Sequence, residues 1–310
     1  MDFHTNFVDE IIVEDEINKN YIKKIKTYKK KIQTTYINIL NKTNKFNIDK
    51  GEYVALSFID INENATRSVL EKILTYNIIY FFQKYLKKEH NKILVIGLGN
   101  RNIIADALGP QVINHIDVNN HLNNYETKLA ALSLGVMAQT GIETSDILSA
   151  ISKEFKPDLV ILIDALASKS IKRINRAIQL NDVSISPGSG VKNYRKIINY
   201  KSLNAPLISI GVATVVEAYS IISDAITYLN ENNNLFIKND VIEKILPVEN
   251  NFFVTPKSID DDIEILANII ARAINKASKE WKNEEVHHWF FNSFYRDYLY
   301  FWVRRQFCFW

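Results

Sequence analysis

The sequence predicts an α/β protein: a mostly parallel, twisted sheet sandwiched by helices, with a smaller antiparallel β subregion at its N-terminal end. Three observations carry this. Four short and nearly continuous apolar runs, Ile93-Leu94-Val95-Ile96, Leu129-Ala130-Ala131-Leu132, Leu159-Val160-Ile161-Leu162-Ile163 and Leu207-Ile208-Ser209-Ile210, have the length and composition of strands buried on both faces. Between and after them lie helical patterns at 109–122, 141–155 and 214–229. Strands that alternate with helices in this way form parallel sheets with helices on their faces. Upstream, the period of the pattern changes from continuous to two.

That upstream part holds Gln33-Thr34-Thr35-Tyr36-Ile37-Asn38-Ile39 and Tyr53-Val54-Ala55-Leu56-Ser57-Phe58, whose alternation predicts half-buried antiparallel strands, with the intervening lysines on the solvated face. From Ser68 to Lys88 the apolar residues Val69, Leu70, Ile73, Leu74, Ile78, Phe81, Phe82 and Tyr85 recur at helical spacing. They predict a long amphipathic helix that covers the sheet. A last helix is expected from Ser258 to about Ala277, because Ser258 and Asp261 have capping spacing. The expected organisation is an N-terminal segment with antiparallel strands (1–66), an α/β core (67–280) and an aromatic tail (281–310) to which the pattern assigns no role.

Composition narrows the function classes. The 310 residues are 47% hydrophobic, enough for a sizeable core, and 38 basic against 35 acidic residues leave a net charge of only +3. A balance that small does not by itself point to nucleic acid. Cys308 is the single cysteine, so no internal disulfide can form, and no signal-peptide pattern opens the chain. A reducing cytoplasm is the expected compartment. No apolar run reaches the roughly 20 residues a spanning helix needs, so no membrane partner is expected.

Two aspartates stand out chemically. Asp106-Ala107-Leu108 and Asp164-Ala165-Leu166 repeat one tripeptide, and each follows a buried-strand pattern. In an open parallel sheet, ligands gather at the carboxyl ends of strands. Asp164 is expected there directly after the strand ending at Ile163, and Asp106 by way of the loop from Gly97. A lone Asp at such a place commonly caps a helix. A close pair does more, because two carboxyls cannot both ionise easily: one keeps a proton and the other serves as a base. That arrangement suits water attack on an amide.

Other motifs are weaker. Gly97-Leu98-Gly99-Asn100 lacks the third glycine of a dinucleotide fingerprint, since position 102 is Asn102. Pro187-Gly188-Ser189-Gly190 lacks the strained elbow of a nucleophilic serine. Cys308 and His287-His288 have no spaced catalytic partner. Glu143, Asp146 and His121 together have the atoms for a metal site, although capping at a helix start is the simpler account of the two acids. No metal and no organic cofactor is expected.

The stretches Gly97-Leu98-Gly99-Asn100, Asp106-Ala107-Leu108-Gly109-Pro110, Gly135-Val136-Met137, 140–146, Ile163-Asp164-Ala165-Leu166-Ala167-Ser168, Pro187-Gly188-Ser189-Gly190-Val191 and Val254-Thr255-Pro256-Lys257 resemble the germination proteases of spore-forming bacteria, and the resemblance runs to about Ala277. It implies a spore-core endopeptidase of an unusual aspartic type that degrades the small acid-soluble proteins coating spore DNA. The family's two essential aspartates fall on Asp106 and Asp164. Its matching motifs place Gly99, Asn100, Glu143, Ser168, Gly188 and Ser189 along the site. A homotetramer made as a self-processing zymogen is also implied, with the cut falling between Asn6 and Phe7.

The chain departs from the family where Ile104-Ala105 replace Thr-Pro, where Leu134 and Ala213 replace prolines, and at Arg101, where an apolar or aromatic residue is usual. Loss of a fixed φ is expected to loosen the loop before Asp106. Two other readings stay open at this point: a metal-dependent maturation-type peptidase on a related scaffold, and a catalytically weak homologue that grips spore proteins without cutting them.

Overall fold

The computed structural model describes residues 5–12, 20–43, 46–87, 89–188, 195–233, 235–238, 240–246 and 252–283. In chain order the elements are α1 (Val8–Ile11), β1 (Tyr21–Tyr28), β2 (Ile32–Ile39), β3 (Gly51–Phe58), α2 (Asn64–Tyr85), β4 (Asn91–Gly97), a 3-10 turn (Ile104–Asp106), α3 (Leu108–Ile113), β5 (Thr127–Ser133), α4 (Met137–Thr140), α5 (Thr144–Phe155), β6 (Leu159–Ser168), a second 3-10 turn (Ile171–Arg173), β7 (Ala177–Asn181), α6 (Tyr200–Leu203), β8 (Leu207–Glu217), α7 (Ala218–Asn233), α8 (Asp240–Ile245), β9 (Phe253–Val254) and α9 (Ile259–Glu280).

The strands form one sheet in the order β1-β2-β3-β7-β8-β6-β4-β5, with β9 paired to the end of β8. The pairs among β5, β4, β6 and β8 are parallel. The pairs among β1, β2, β3, β7 and β8 are antiparallel. The expected α/β class with an antiparallel N-terminal subregion is therefore what forms, and β7 is the strand that joins the two parts.

Alternation along the parallel strands sends side chains to two cores. Ile93, Val95, Ile161 and Ile163 pack with α2, α3 and α9 through residues such as Leu74, Phe81, Val112, Leu266 and Ile270. Leu94, Ile96, Val160 and Leu162 face the other way, onto Leu148 of α5 and Leu203 of α6. Each large aliphatic side chain so buried contributes about 1.5–3 kcal/mol. Polar contacts fix the hinge between the two parts of the sheet. Lys84 of α2 pairs with Asp182 at 2.6 Å and Glu52 at 3.0 Å, and the Tyr85 hydroxyl donates to Asp182 at 2.6 Å.

Several elements differ from the expected bounds. The helix expected over 109–122 ends at Ile113, because the Asn-rich stretch after it prefers side-chain-bonded turns. Buried Asn119 holds that turn, accepting from the Leu129 N–H at 2.6 Å. The helix expected from Thr214 begins only at Ala218, since the β-branched run through Val215 and Val216 continues β8. Ser258 makes no capping bond and instead donates to Asp262 at 2.7 Å, where Asn175 also donates at 2.8 Å. The last helix runs to Glu280, and Trp281 packs into the core with its Nε1 donating to Thr127 at 2.9 Å. The rest of the aromatic tail, 284–310, lies outside the described residues. Among the described residues, no helix is long and apolar enough to cross a membrane.

Candidate active site

The site follows from a mismatch in strand length. β4 stops at Gly97, whose partner in β6 is Ile163, while β6 runs on to Ser168. From β4 the chain goes to β5 on one side and returns to β6 on the other, so the ends of β4 and β6 flank the point where strand order reverses. A crevice opens there by topology alone. Asp164 is therefore not just past its strand, as the apolar run suggested, but inside it, opposite Gly211 of β8 and one residue beyond the reach of β4. It shares the face of Val160 and Leu162, on the α5 side of the sheet.

Asp106 reaches the same crevice from the loop after β4. Two close approaches shape that loop. A Cβ on Gly97 would lie 2.4 Å from the Gly109 carbonyl oxygen, and one on Gly109 would lie 2.2 Å from that of Leu98, so the start of α3 sits directly on the end of β4. Gly99, at φ +104, turns the chain where any side chain would meet the Asp106 carbonyl oxygen at 2.0 Å. The 3-10 turn then presents Asp106, its N–H donating to Ile103 at 2.8 Å. Ile104-Ala105 hold this turn without the proline of the family pattern.

Both carboxyls line one cleft of about 810 Å³. Burial pushes the Asp106 carboxyl up to about 6, against the pull of the Asn100 N–H that donates to it at 2.7 Å. Burial pushes Asp164 higher, to about 8, and the Asp106 charge acts in the same direction; a 3.0 Å bond from the Ala165 N–H opposes both. Two neighbouring carboxyls are thus driven apart in acidity, one suited to be a base near neutral pH and the other to keep its proton.

The remaining candidate residues divide. Gly99, Asn100 and Gly188 line the cleft with the two aspartates. Asn100 is fixed from the far side by Gln139 of α4, whose Nε2 donates to its Oδ1 at 2.6 Å. Glu143 precedes α5 and lies 3.9 Å from Arg195, a lining residue. Ser168 is fully buried at the end of β6 and donates to Glu10 at 2.6 Å. Ser189 lies outside the described residues. Asn6 lines the cleft, and Phe7 is fully buried beside it. Asp146 is paired with Lys196 at 2.8 Å. His121 stands before β5, at the opposite end of the sheet from the dyad. Among the described residues, no three of the metal-ligating types gather.

Two residues that reading the sequence overlooked belong to the site. Gln179 lies in the five-residue β7, too short to register as a strand, yet it is buried and lines the cleft. Thr214 occupies an irregularity where β6 and β8 shift register, between the pairs Leu166–Ala213 and Ala167–Val215. It is fully buried against the cleft, and its hydroxyl has no hydrogen-bond partner among the described residues. A Gln flanked on both sides by apolar residues, Ile178 and Leu180, was the available signal, because a buried amide must find partners.

Comparison with known proteins gives a consistent result. The sequence pattern of the family described as Germination protease matches residues 6–235. A germination protease of Clostridium tetani is 35% identical over 285 residues, covering 82% of this chain and 87% of its own length. One from Caldanaerobacter subterraneus is 38% identical over 281 residues, covering 79% and 84%. Among solved structures, the [NiFe] hydrogenase maturation protease HycI from Thermococcus kodakarensis KOD1 aligns with a TM-score of 0.33 at 17% identity, over 63% of this chain and 98% of its own.

Proposed function

The chain belongs to the germination protease family, and from that premise we propose that it is an endopeptidase of aspartic type in which Asp106 and Asp164 share the chemistry. The observation that carries this is the split in acidity of two carboxyls in one cleft, about 6 for Asp106 and about 8 for Asp164. Ionised Asp106 takes a proton from the attacking water as the oxygen adds to the peptide carbonyl. Protonated Asp164 hydrogen-bonds the carbonyl oxygen, then gives its proton to the nitrogen as the C–N bond breaks. Transfer of the proton from Asp106 back to Asp164 restores the starting state.

The substrates in this reading are the small acid-soluble spore proteins, cut early in germination inside the spore core. The enzyme assembles as a homotetramer, which light scattering of the purified protein measures directly. It is made as a zymogen that loses its first residues by a cut after Asn6. The family membership and the paired carboxyls support the reading over a metal-dependent maturation peptidase, for which Glu143, Asp146 and His121 would have to meet. The test is digestion of a purified small acid-soluble spore protein by the wild type, Asp106→Asn and Asp164→Asn in parallel. Cleavage by either Asn variant at more than about a thousandth of the wild-type rate would exclude the dyad.

A further inference from the structure

The loop that carries Asp106 is held from outside at one point. From Gly99 to Ala105 it contains no proline to fix φ, and Arg101, Asn102, Ile103 and Ile104 are exposed to solvent. Three of its internal bonds meet at Asn100. The Asn102 N–H donates to Asn100 Oδ1 at 3.0 Å, the Ile103 N–H donates to the Asn100 main-chain oxygen at 3.0 Å, and the Asn100 N–H donates to the Asp106 carboxylate at 2.7 Å. A displacement of Asn100 is therefore passed on to Asp106. From beyond this loop and its 3-10 turn, one hydrogen bond reaches residues 99–103 among the described residues: the 2.6 Å bond from Gln139 Nε2 to Asn100 Oδ1.

Gln139 is itself held at its other end. It lies in α4, a helix of four residues with a left-handed glycine on either side, Gly135 at φ +72 and Gly141 at φ +71. Gln139 stands three residues after the N-cap Val136, and its Oε1 accepts from the Val136 N–H at 3.4 Å, as the amide of a capping box does. One carboxamide thus closes α4 with its oxygen and holds Asn100 with its nitrogen. A residue whose sole work was to cap α4 would have no need of that nitrogen, since glutamate fills the same place in a capping box. Gln139 also does not line the cleft, whereas Asn100 and Met137 do.

We propose that Gln139 is a positioning residue for the general base: through Asn100 it holds the loop that places the Asp106 carboxyl in the cleft. The proposal rests on the peptidase reading above and adds a residue that reaches the reacting atoms only through others. Loss of the bond frees Asn100, and with it the N–H whose donation pulls the Asp106 carboxyl down against burial. The base then ionises at higher pH and is less well placed for the attacking water. The other ionisable side chains that line the cleft, Asp49, Tyr53, Asp164 and Arg195, make no hydrogen bond to Gln139.

Two variants separate the tether from the cap. Gln139→Glu keeps the shape and the capping oxygen but sets a carboxylate against the Asn100 oxygen, while Gln139→Met keeps the length and removes both bonds without adding charge. Cleavage is measured on a purified small acid-soluble spore protein. Titration of the Asp106 carboxyl is followed in parallel by carbon NMR of protein labelled at aspartate, with Asp106→Asn to assign the signal. Both variants should lose at least about fivefold in kcat, with KM within about twofold of the wild type. In both, the Asp106 titration and the rising limb of the pH–rate curve should move up by about half a pH unit or more. Gln139→Glu should melt within about 2 °C of the wild type, because the cap is kept. An unmoved Asp106 titration in Gln139→Met would overturn the proposal even if Gln139→Glu shifted, since the added charge alone accounts for that. A raised KM with unchanged kcat would overturn it as well, by making Gln139 a substrate contact. Should Gln139→Met not fold, Gln139→Ala takes its place with the same expectations. Absence of cleavage by the wild type would remove the peptidase reading, and the NMR titration would then decide the tether by itself.

Discussion

Asp164→Asn should make the protein more stable and inactive, and the pH dependence of the gain tests the acidity assigned to the site. The carboxyl of Asp164 goes from an ordinary 3.8 to about 8 on folding. A raised carboxyl binds its proton more tightly in the folded state, so the stability it allows is complete below about pH 4 and is lost progressively as the pH rises through 8. Asparagine keeps the shape and has nothing to ionise. A rise of about four units sets a ceiling of ~5–6 kcal/mol. The cleft is open to water, which screens the charge, so about 2–3 kcal/mol is the reasonable expectation. For a chain of this size that is a Tm increase of about 3–5 °C. Melting curves for wild type and variant at pH 4 to 9.5 should separate from pH 4 upward and stop diverging above about pH 8. Parallel curves across that range would show that Asp164 ionises like an exposed carboxylate, and the split-acidity mechanism would go with it.

Peptide cleavage by the wild type should follow a bell in pH, rising near 6 as Asp106 ionises and falling near 8 as Asp164 does, with both limbs belonging to the pair; a rate still climbing at pH 9.5 counts against it. Gly109→Ala places a Cβ 2.2 Å from the Leu98 carbonyl oxygen and should cost about 1–3 kcal/mol while reducing kcat at least tenfold, because moving α3 displaces Asp106; unchanged kcat would show the loop to be uncoupled from α3. Self-processing should be slow in the wild type and faster in Asn6→Glu, since a carboxylate is the stronger acceptor for the Ala167 N–H that Asn6 now uses; mass spectrometry showing most wild-type molecules beginning at Phe7 would contradict this. Cleavage should survive exhaustive chelation, and activity restored only by an added divalent ion would favour the metal reading.

The parallel half of the sheet was legible because its strands are continuous apolar runs, a signal that depends on burial from both sides. The antiparallel half was only partly so. Tyr21 to Tyr28 reads as a lysine-rich stretch because β1 is an edge strand with one wet face. Ala177 to Asn181 is too short to show a period. The two aspartates were found from a repeated tripeptide, yet the reason Asp164 sits in a crevice is the stop of β4 at Gly97, a relation between strands that no local pattern encodes. Gln179 was invisible for a related reason. Its side chain accepts from the Val8 N–H, more than 160 positions away in sequence, and only the sheet order brings the two together.

That sheet order also dictates timing during synthesis. β3 is complete at Phe58, but its inner partner β7 ends at Asn181, and β7 is itself anchored by β8, which ends at Glu217. At roughly 5–20 residues per second the ribosome needs about 8–30 s to cover that gap. For that time β1, β2 and β3 have no sheet to join, and residues 6–10 have neither the β6 edge nor Gln179 to bind. The first segment to be made therefore waits for strands made more than 150 residues later, and the self-directed cut near Asn6 proposed above would require a chain whose β6, β7 and β8 are already assembled. Under that proposal the fold would act as its own checkpoint, since a nascent or half-folded molecule would lack the strands that hold the segment to be cut.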